Sequence, residues 1–468
     1  MRILSEEILQ DVTNESVQLP CLESFNYPEK VLQFGTGVLL RALPDYYIDK
    51  ANKQQVFKGR VAVIKSTSTG SIADFEAQKG VFTLCIKGVS NGDLVEDYII
   101  NNSISRVIEA ASDWADALKI ATSDDLEFVI SNTTEVGIVL TSDDVNANPP
   151  LSFPGKLLSL LYQRYKHFQG DITKGLVILP TELISDNGQK LKDIILTLCD
   201  QNNLGEDFKS WLLGANDFCS TLVDRIVPGK LPEDMHDVVE KHLGYQDNLM
   251  IMAEPFALWA IESSSDRVKG KLSFAQTDAS VVIVPSINKY KELKLRLLNA
   301  THTFSCAAAL LSGFNTVKEA MQDEVFRAYV KNLMNHEIGL SILDADLTQQ
   351  DVDTFSSSVI DRFSNPFLEH QWSAIAMNYP SKLALRCMPL LSKWYAKYKH
   401  VPKYMAFGIA AFIKMKAQNE NLSVDELIND QSLWEENMTD YPDFVQSIKD
   451  DLEKLADQGV LKSLAQIL

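Results

Sequence analysis

The sequence has few cysteines, and none of them stands in a metal-binding pattern. Six cysteines are spread over 468 residues, without a CxxC pair or a short Cys/His cluster. A structural zinc site needs such ligands at close spacing, so this class of site is excluded. We therefore expect buried free thiols in a reducing cytoplasm and a protein that binds no metal.

Long apolar runs and an excess of basic side chains are also absent. No stretch reaches the roughly 18 uninterrupted apolar residues of a transmembrane helix, and the start, MRILSEEILQDV, lacks the basic end and apolar run of a signal peptide. The 44 basic and 63 acidic side chains give a formal net charge of -19, which disfavours nucleic acid or an anionic membrane as a partner. We expect a cytoplasmic protein in which an anionic substrate requires a locally basic pocket.

Hydrophobic residues, in contrast, are plentiful and make up 46% of the chain. A chain of 468 residues is too long for one ordinary hydrophobic core, so its length predicts two domains. Short runs rich in valine and isoleucine are separated by helical or polar stretches. Such runs are typical of strands buried on both faces of a parallel sheet. The runs are Lys30–Phe34, Arg60–Thr67, Phe128–Ile138, Gly175–Ile184 and Ser280–Ile287. They predict a doubly wound, Rossmann-like α/β domain over residues 1–284.

The chain changes character after Pro285. The segments KYKELKLRLLNATHTFSCAAALLSG, TVKEAMQDEVFRAYVKNLMNHEIG and VPKYMAFGIAAFIKMKAQ place apolar residues at helical spacing and contain few β-branched runs. They predict a mostly α-helical second domain over residues 285–468. The predicted fold class is thus α/β, with a Rossmann-like N-terminal domain followed by a helical C-terminal domain.

A glycine turn, FGTGVLL, directly follows the first predicted strand. Gly35 allows a tight turn, and Gly37 lets a pyrophosphate approach the backbone at a helix N-terminus. Leu40 occupies the third glycine position of GxGxxG, so an ordinary strand-to-helix turn stays a second interpretation. The end of the second strand, where an acid usually binds the adenine ribose, has Lys65 instead, which leaves the choice between NAD and NADP open.

Lys294, Asn299 and His302 lie in one predicted helix, KLRLLNATH, within an arc of roughly 140°. A lysine whose pKa is lowered by burial can take a hydroxyl proton, while an amide and an imidazole N–H can stabilise the alkoxide that precedes hydride transfer. Such a site needs no metal. The same spacing also fits a solvated lysine beside two polar helix contacts, and the residues alone do not separate these interpretations.

The pattern Lys, four residues, Asn, two residues, His resembles the catalytic signature of the mannitol dehydrogenase family, also called the polyol-specific long-chain dehydrogenases. The stretch FGTGVLLRA resembles the family's nucleotide loop, in which an arginine follows a glycine pair without a third glycine. Further similar segments are SNTTEVGI, PTELISDNG, FCSTLVDRIVPG and RFSNPFLEHQWSAIAMNYPSK. The resemblance therefore runs through most of the chain.

The resemblance implies an NAD-dependent dehydrogenase acting on a CH–OH group. It implies Lys294 as the general acid/base, with the asparagine and histidine of the signature as oxyanion donors. The cofactor-binding residues that it implies are Phe34, Gly35, Thr36, Gly37, Arg41 and Asn132. It further implies that Asp224 contacts substrate hydroxyls and that Lys382 lies near the substrate, where its cation could meet a carboxylate. For Asp224, a salt bridge to Arg225 or to another basic residue is a second interpretation.

The segments SNTTE, STLVDRIV and ALRCMPLL are most similar to family members that interconvert D-tagaturonate and D-altronate in hexuronate catabolism. Mannitol-type members carry an Asp-Asn pair at Glu182 and Leu183 and an Arg and a His at Ala374 and Met377, which argues against a simple mannitol pocket. Reduction of D-fructuronate to D-mannonate, oxidation of mannitol at C2 and a non-catalytic nucleotide-binding sensor are the alternatives. We expect a small-molecule uronate or aldonate substrate and a monomer or small homo-oligomer.

Overall fold

The chain divides into two compact units in the computed structural model, which describes residues 1–67, 70–133 and 136–468. The first unit comprises residues 1–87 and 95–287, and the second comprises residues 88–94 and 288–468. Two residues of the segment SNTTEVGI, Thr134 and Glu135, lie outside the described residues. Each unit is described separately below.

The strands of the described residues form three sheets. In chain order they are β1 (Val17–Gln18), β2 (Glu29–Phe34), β3 (Arg60–Lys65), β4 (Phe82–Ser90), β5 (Asp93–Asn101), β6 (Ile104–Glu109), β7 (Phe128–Ser131), β8 (Val177–Pro180), β9 (Asp217–Phe218), β10 (Thr221–Asp224), β11 (Ile251–Ala253), β12 (Leu258–Glu262) and β13 (Val281–Val284). The largest sheet has six parallel strands in the order β6-β3-β2-β7-β8-β9. The smaller sheets have the orders β1-β5-β4-β11 and β10-β12-β13.

The six-stranded sheet is buried on both faces, as its continuous apolar strands predict. Val31 of β2 belongs to one core cluster together with Val61 and Phe128, whereas the adjacent Leu32 belongs to a second cluster. The strand order reverses beside β2, which is the order of the doubly wound Rossmann fold. The predicted fold class is confirmed for this unit. The predicted strand at Ser280–Ile287 forms as β13, but it pairs with β12 in a smaller sheet.

Helices connect the strands of the first unit. They are α1 (Val38–Ala42), α2 (Pro44–Lys53), α3 (Ala73–Ala77), α4 (Ala110–Ala121), α5 (Phe153–His167), α6 (Asn187–Gln201), α7 (Glu206–Ala215), α8 (Glu233–Leu243) and α9 (Asp266–Lys271). The helix after the glycine turn, α1, is short because Leu43 leaves the helical conformation at φ -129° and ψ -80°. Pro44 then begins α2 at the first helical position, where its missing N–H leaves no hydrogen bond unmade.

The second unit consists mainly of helices, as predicted. They are α10 (Asn288–Glu292), α11 (Thr301–Leu311), α12 (Val317–Gln322), α13 (Glu324–Asn332), α14 (Gly339–Ile342), α15 (Gln349–Phe363), α16 (Trp372–Ile375), α17 (Tyr379–Lys382), α18 (Met388–Lys397), α19 (Lys403–Glu420), α20 (Val424–Asn429), α21 (Gln431–Trp434), α22 (Phe444–Gln458) and α23 (Val460–Ile467). Turns of π-helix lie at Leu293–Ala300, Leu333–Ile338 and Leu383–Cys387.

Helix α19 lies at the centre of the second unit, with every residue from 404 to 413 buried. It approaches α11 so closely that a Cβ on Gly408 would lie 2.7 Å from the backbone oxygen of Phe304. The small side chains that follow Phe304 in the sequence, SCAAA, permit this approach. Across the described parts of the chain, none of the helices combines the length and apolarity needed to cross a bilayer.

Candidate active site

The turn after β2 requires a glycine at position 35. Gly35 has φ +121°, a conformation that residues with a Cβ rarely adopt, and its N–H donates to the carbonyl of Ile64 at 3.0 Å. A Cβ at this position would lie 2.9 Å from the backbone oxygen of Asn132, directly after β7. Gly35 therefore lets the chain turn tightly beside the adjacent strand, at the point where the strand order of the sheet reverses.

A cavity of about 440 Å³ opens beside this turn. Among the residues that line it are four for which the sequence predicts cofactor binding, namely Gly35, Thr36, Gly37 and Asn132. The side-chain amide of Asn132 donates to the backbone oxygen of Thr181 at 2.9 Å, which fixes its orientation. The structure thus brings these four residues together around one cavity of a size that suits part of a nucleotide.

The other two residues predicted to bind the cofactor, Phe34 and Arg41, are buried and do not line this cavity. The ring of Phe34 packs edge-on against Phe153, with 4.8 Å between the ring centroids. The guanidinium of Arg41 donates to the backbone oxygen of Leu249 at 2.5 Å and lies over two phenylalanine rings. Burial lowers the pKa of Arg41 to about 10. Both side chains therefore pack in the protein interior, one before and one after the glycine turn in the chain.

Two lysines add positive charge to the lining of the cavity. Lys65, the last residue of β3, donates to the carboxylate of Glu109 at 3.0 Å, and Glu109 is its partner in register at the end of β6. Lys156 lies in the first turn of α5 and is 4% exposed. Burial lowers the pKa of Lys156, although the negative charge of Asp143 opposes this shift. Sequence reasoning missed Lys156 because a lysine in the first turn of a helix is usually exposed.

Asp224 ends β10 in the first unit and is 5% exposed. Its neighbour Arg225 donates to the backbone oxygens of Ala42 at 2.5 Å and of Glu254 at 3.0 Å. A role of Asp224 toward substrate stays a prediction. The alternative interpretation, a salt bridge from Asp224 to Arg225 or to another base, stays open beside it.

Glu182 stands where mannitol-type members have an aspartate, and it is buried while the next residue, Leu183, is exposed. The carboxylate of Glu182 accepts hydrogen bonds from the backbone N–H of Thr133 at 3.0 Å and from its hydroxyl at 3.1 Å. Burial raises the pKa of Glu182, although these hydrogen bonds oppose the shift. Glu182 therefore fixes the backbone after β7 and the position of Thr133, a residue that lines the cavity.

Lys294 and Asn299 lie on the π-helical turn Leu293–Ala300, and His302 follows at the start of α11. In a π-helix residue i+5 bonds to residue i, so residues five apart lie on the same side of the helix. Lys294 and Asn299 therefore share one face, whereas an α-helix would separate them by roughly 140°. The prediction of a regular α-helix was wrong at this turn. Turns of π-helix occur frequently at functional sites.

The imidazole of His302 is buried against aromatic rings. Its centroid lies 4.1 Å from that of Phe363, 5.0 Å from that of His370 and 6.0 Å from that of Trp372. Burial, together with nearby positive groups, lowers the pKa of His302 well below 6.5, so the ring is neutral at pH 7. Its Nε2 is buried and has no hydrogen-bond partner among the described residues. This nitrogen can therefore bond to an oxygen of a ligand.

Lys382 and Arg386 supply positive charge close to His302, since both contribute to lowering its pKa. The ammonium of Lys382 donates to the backbone oxygen of Ile375 at 2.8 Å, and the guanidinium of Arg386 donates to the hydroxyl of Thr303 at 3.4 Å. Within the described parts of the chain, neither cation forms an ion pair with a carboxylate. This part of the second unit therefore has an excess of positive charge, in a protein whose net charge is -19.

One group of side chains in the described residues could offer three ligands to a metal ion, and it consists of His236, Asp237 and Glu240 on α8. Two of the three already bond to residue 247. His236 Nε2 lies 3.1 Å from the backbone oxygen of Asp247. The carboxylate of Glu240 accepts the backbone N–H of Asp247 at 2.7 Å. These contacts give His236 and Glu240 a structural role, and the expectation that the protein binds no metal stays a prediction.

Comparison with known families identifies the class of protein. The Mannitol dehydrogenase Rossmann domain matches residues 29–276, and the Mannitol dehydrogenase C-terminal domain matches residues 286–423. The chain therefore belongs to the mannitol dehydrogenase family, which confirms the resemblance seen in the sequence. Within this family it is similar to an altronate oxidoreductase of Bacillus subtilis (strain 168), with 35% identity over 464 residues, 94% of this chain and 95% of the relative.

Two solved structures share the fold. The substrate-free form of a D-sorbitol dehydrogenase has a TM-score of 0.80 and 19% identity, covering 99% of this chain and 100% of that one. A ternary complex of Pseudomonas fluorescens mannitol 2-dehydrogenase with NAD and D-mannitol has a TM-score of 0.69 and 19% identity, covering 100% of this chain and 99% of that one. This likeness shows that the arrangement of a Rossmann unit followed by a helical unit is common to all three.

Proposed function

We propose that this protein is an NAD-dependent oxidoreductase that interconverts D-tagaturonate and D-altronate in hexuronate catabolism. Its family and its similarity to an altronate oxidoreductase over 94% of the chain support the proposal. We further propose that it acts in the cytoplasm, as a monomer or small homo-oligomer, on a small-molecule uronate or aldonate.

The residues around the glycine turn fit a dinucleotide. Gly35 and Gly37 leave the backbone open to a diphosphate, and the cations of Lys65 and Lys156 line the same cavity. Asn132 would lie near the nicotinamide ribose, as the resemblance implies. NADH, when bound, supplies the hydride that reduces the keto carbon of the substrate.

The signature residues of the second unit would handle the proton and the developing charge. Lys294 gives a proton to the former carbonyl oxygen during reduction and takes it back during oxidation. Asn299 and His302 donate hydrogen bonds to that oxygen while it is negative. The observation that carries the proposal is the buried Nε2 of His302, without a partner in the described residues. A buried polar atom of this kind costs free energy unless a ligand bonds to it.

The positive charge beside His302 favours a uronate over a neutral polyol. Lys382 and Arg386 pair with no carboxylate of the described residues, so a substrate carboxylate would complete their interactions. Arginine binds a carboxylate through two parallel hydrogen bonds, which also orients the substrate. Ala374 and Met377, which replace the Arg and His of mannitol-type members, remove groups that would serve a polyol.

The direct test is the loss of NADH absorbance on addition of D-tagaturonate, with D-fructuronate and D-fructose in parallel and NADPH as the alternative cofactor. We expect rapid oxidation of NADH with D-tagaturonate. Preference for D-fructuronate or D-fructose would keep the family and replace the substrate. Absence of turnover with every pair would contradict the proposal and favour a nucleotide-binding sensor.

The variant Arg386→Met tests the proposed carboxylate contact. We expect KM for D-tagaturonate to rise about tenfold or more, equivalent to about 1.4 kcal/mol of binding free energy, because a charge-assisted hydrogen bond is lost. Residual activity on uncharged D-fructose should change little. Steady-state kinetics of the variant and of Lys331→Met, an exposed position on α13, give the comparison. Equal losses on both substrates would argue against a contact with the carboxylate.

A further inference from the structure

Lys156 is a buried cation that forms no ion pair with an acid of the described residues. Its side chain is 4% exposed, and its ammonium donates to the backbone oxygen of Leu151 at 2.7 Å. Lysine is rarely buried to this extent unless it is paired, because the charge loses its hydration. Within the described parts of the chain, no carboxylate forms an ion pair with Lys156.

The nearest acid, Asp143, is occupied elsewhere. One carboxylate oxygen of Asp143 accepts the backbone N–H of Ser152 at 2.9 Å, and the other accepts the hydroxyl of Ser152 at 2.5 Å. The hydroxyl of Thr141 also donates to the carboxylate of Asp143. These hydrogen bonds lower the pKa of Asp143, although burial opposes the shift. Asp143 thus fixes the start of α5, and no carboxylate in the part of the chain that the structure describes bonds to the ammonium of Lys156.

Lys156 lines the cavity that also contains Gly35 and Gly37. It lies in the first turn of α5, a helix of 15 residues whose N-cap, Ser152, accepts the N–H of Gly155. The positive end of a helix favours an anion at this place. Lys65 also lines the cavity and already donates to Glu109, whereas Lys156 has no ion pair with any of the residues that the structure describes.

We propose that Lys156 binds the diphosphate of the dinucleotide cofactor and supplies the counter-charge that the glycine turn itself lacks. The anion of the cofactor then replaces the carboxylate that a buried lysine normally requires. The inference rests on the proposed dinucleotide cofactor and adds a binding residue that lies outside the glycine turn. It assigns a function to a residue that belongs to none of the sequence motifs.

Equilibrium binding of NADH to the cofactor-free protein, followed by NADH fluorescence, tests the proposal without any turnover. Lys156→Gln keeps a donor for the carbonyl of Leu151 and removes the charge, and Lys156→Arg keeps the charge. We expect the Kd for NADH to rise about tenfold or more in the glutamine variant and to recover in large part in the arginine variant. Lys166→Gln, at an exposed position of the same helix, should bind NADH as the wild type does.

Two further measurements distinguish the loss of a diphosphate contact from a general disturbance of the fold or of the nucleotide site. Competition by ADP should weaken in Lys156→Gln as that of NADH does, whereas competition by adenosine should not change, because adenosine lacks the diphosphate. The melting temperature of the cofactor-free glutamine variant should be equal to or above that of the wild type, since a buried charge is removed.

Wild-type affinity for NADH in Lys156→Gln would overturn the inference, and so would an equal loss of ADP and adenosine. If Lys156→Gln does not fold, the Kd for NADH and the competition by ADP and adenosine are measured on Lys156→Met, for which the same results are expected. A wild-type protein that binds no NADH would overturn the proposed cofactor itself, which distinguishes that failure from a failure of Lys156 alone.

Discussion

The proton transfer proposed for Lys294 is a property of one side chain. Replacing it with alanine in Lys294→Ala should lower kcat by about 10²- to 10⁴-fold, the usual contribution of a general acid/base. Affinity for NADH, measured by fluorescence, should change little, because the residues proposed to bind the cofactor belong to the other unit. Addition of a small primary amine should restore part of the lost rate. Normal turnover of Lys294→Ala would contradict the mechanism.

The lowered pKa of His302 predicts a pH dependence of stability. The unfolded chain binds a proton at this residue below about pH 6.5, whereas the folded chain does not until the pH falls well below that value. Below pH 6.5 the residue therefore favours unfolding, by up to about 1.4 kcal/mol per pH unit.

The variant His302→Gln has no side chain at this position that binds a proton in this pH range. Urea denaturation at pH 7.5, 6.5 and 5.5 should therefore show the wild type losing unfolding free energy relative to the variant as the pH falls. A difference between the two proteins that is constant over this range would show that the ring takes up its proton at the same pH in the folded and the unfolded chain.

At the scale of secondary-structure elements, the neighbouring ends of β3 and β6 determine the charge near the second strand of the Rossmann fold. Glu109 neutralises Lys65 at 3.0 Å and is itself partly exposed. An acid at this place favours NAD, while a free cation accommodates a 2′-phosphate. We expect Glu109→Gln to raise the ratio of kcat/KM for NADPH over NADH by about tenfold. Asp116→Asn on α4 is the control, and an unchanged ratio in Glu109→Gln would exclude this role.

The start of α19 depends on a carboxylate from another element. Glu337, on the π-helical turn Leu333–Ile338, accepts the backbone N–H of Tyr404 at 2.9 Å and of Met405 at 2.8 Å. Glu337→Ala would leave both buried donors without a partner, so we expect a loss of about 2 kcal/mol or more of unfolding free energy. The exposed Glu324→Ala should stay within about 0.5 kcal/mol of the wild type in the same denaturation experiment. Equal stability of both variants would show that water replaces the carboxylate.

At the scale of the whole molecule, a Rossmann-like unit followed by a helical unit was predictable from the sequence, and so were the strands β2, β3, β7, β8 and β13. The strands of the Rossmann sheet are buried on both faces and therefore appear as continuous apolar runs, and the helical unit follows the 3.6-residue period. Strands β4, β5 and β6 escaped prediction because polar residues interrupt their apolar runs. Short strands such as β10 and β11 escaped it because three or four residues carry too little pattern. The switch of β13 to another sheet depends on pairing with β12, which no local signal encodes.

The site was predictable only where a residue type is itself restrictive. Gly35 is such a case, because its φ of +121° and the close approach of Asn132 exclude a side chain. The orientation of Arg41 depends on tertiary packing, so sequence spacing places it near the turn without showing where its charge lies. Lys156 reaches the cavity only through the fold, which sequence spacing does not show. The three signature residues were found by their spacing, whereas the π-helical turn that carries two of them was not.

A π-helical turn holds one residue more than the α-helical turn that it replaces. Loss of one codon between Lys294 and Asn299 would therefore return this stretch to a regular α-helix in which the two residues are four apart and still share one face. The small residues that pack α11 against α19 would keep their places. In evolutionary terms, the turn is equivalent to one residue inserted into a regular helix, so a lineage can gain or lose it in a single step while both side chains stay on the same face.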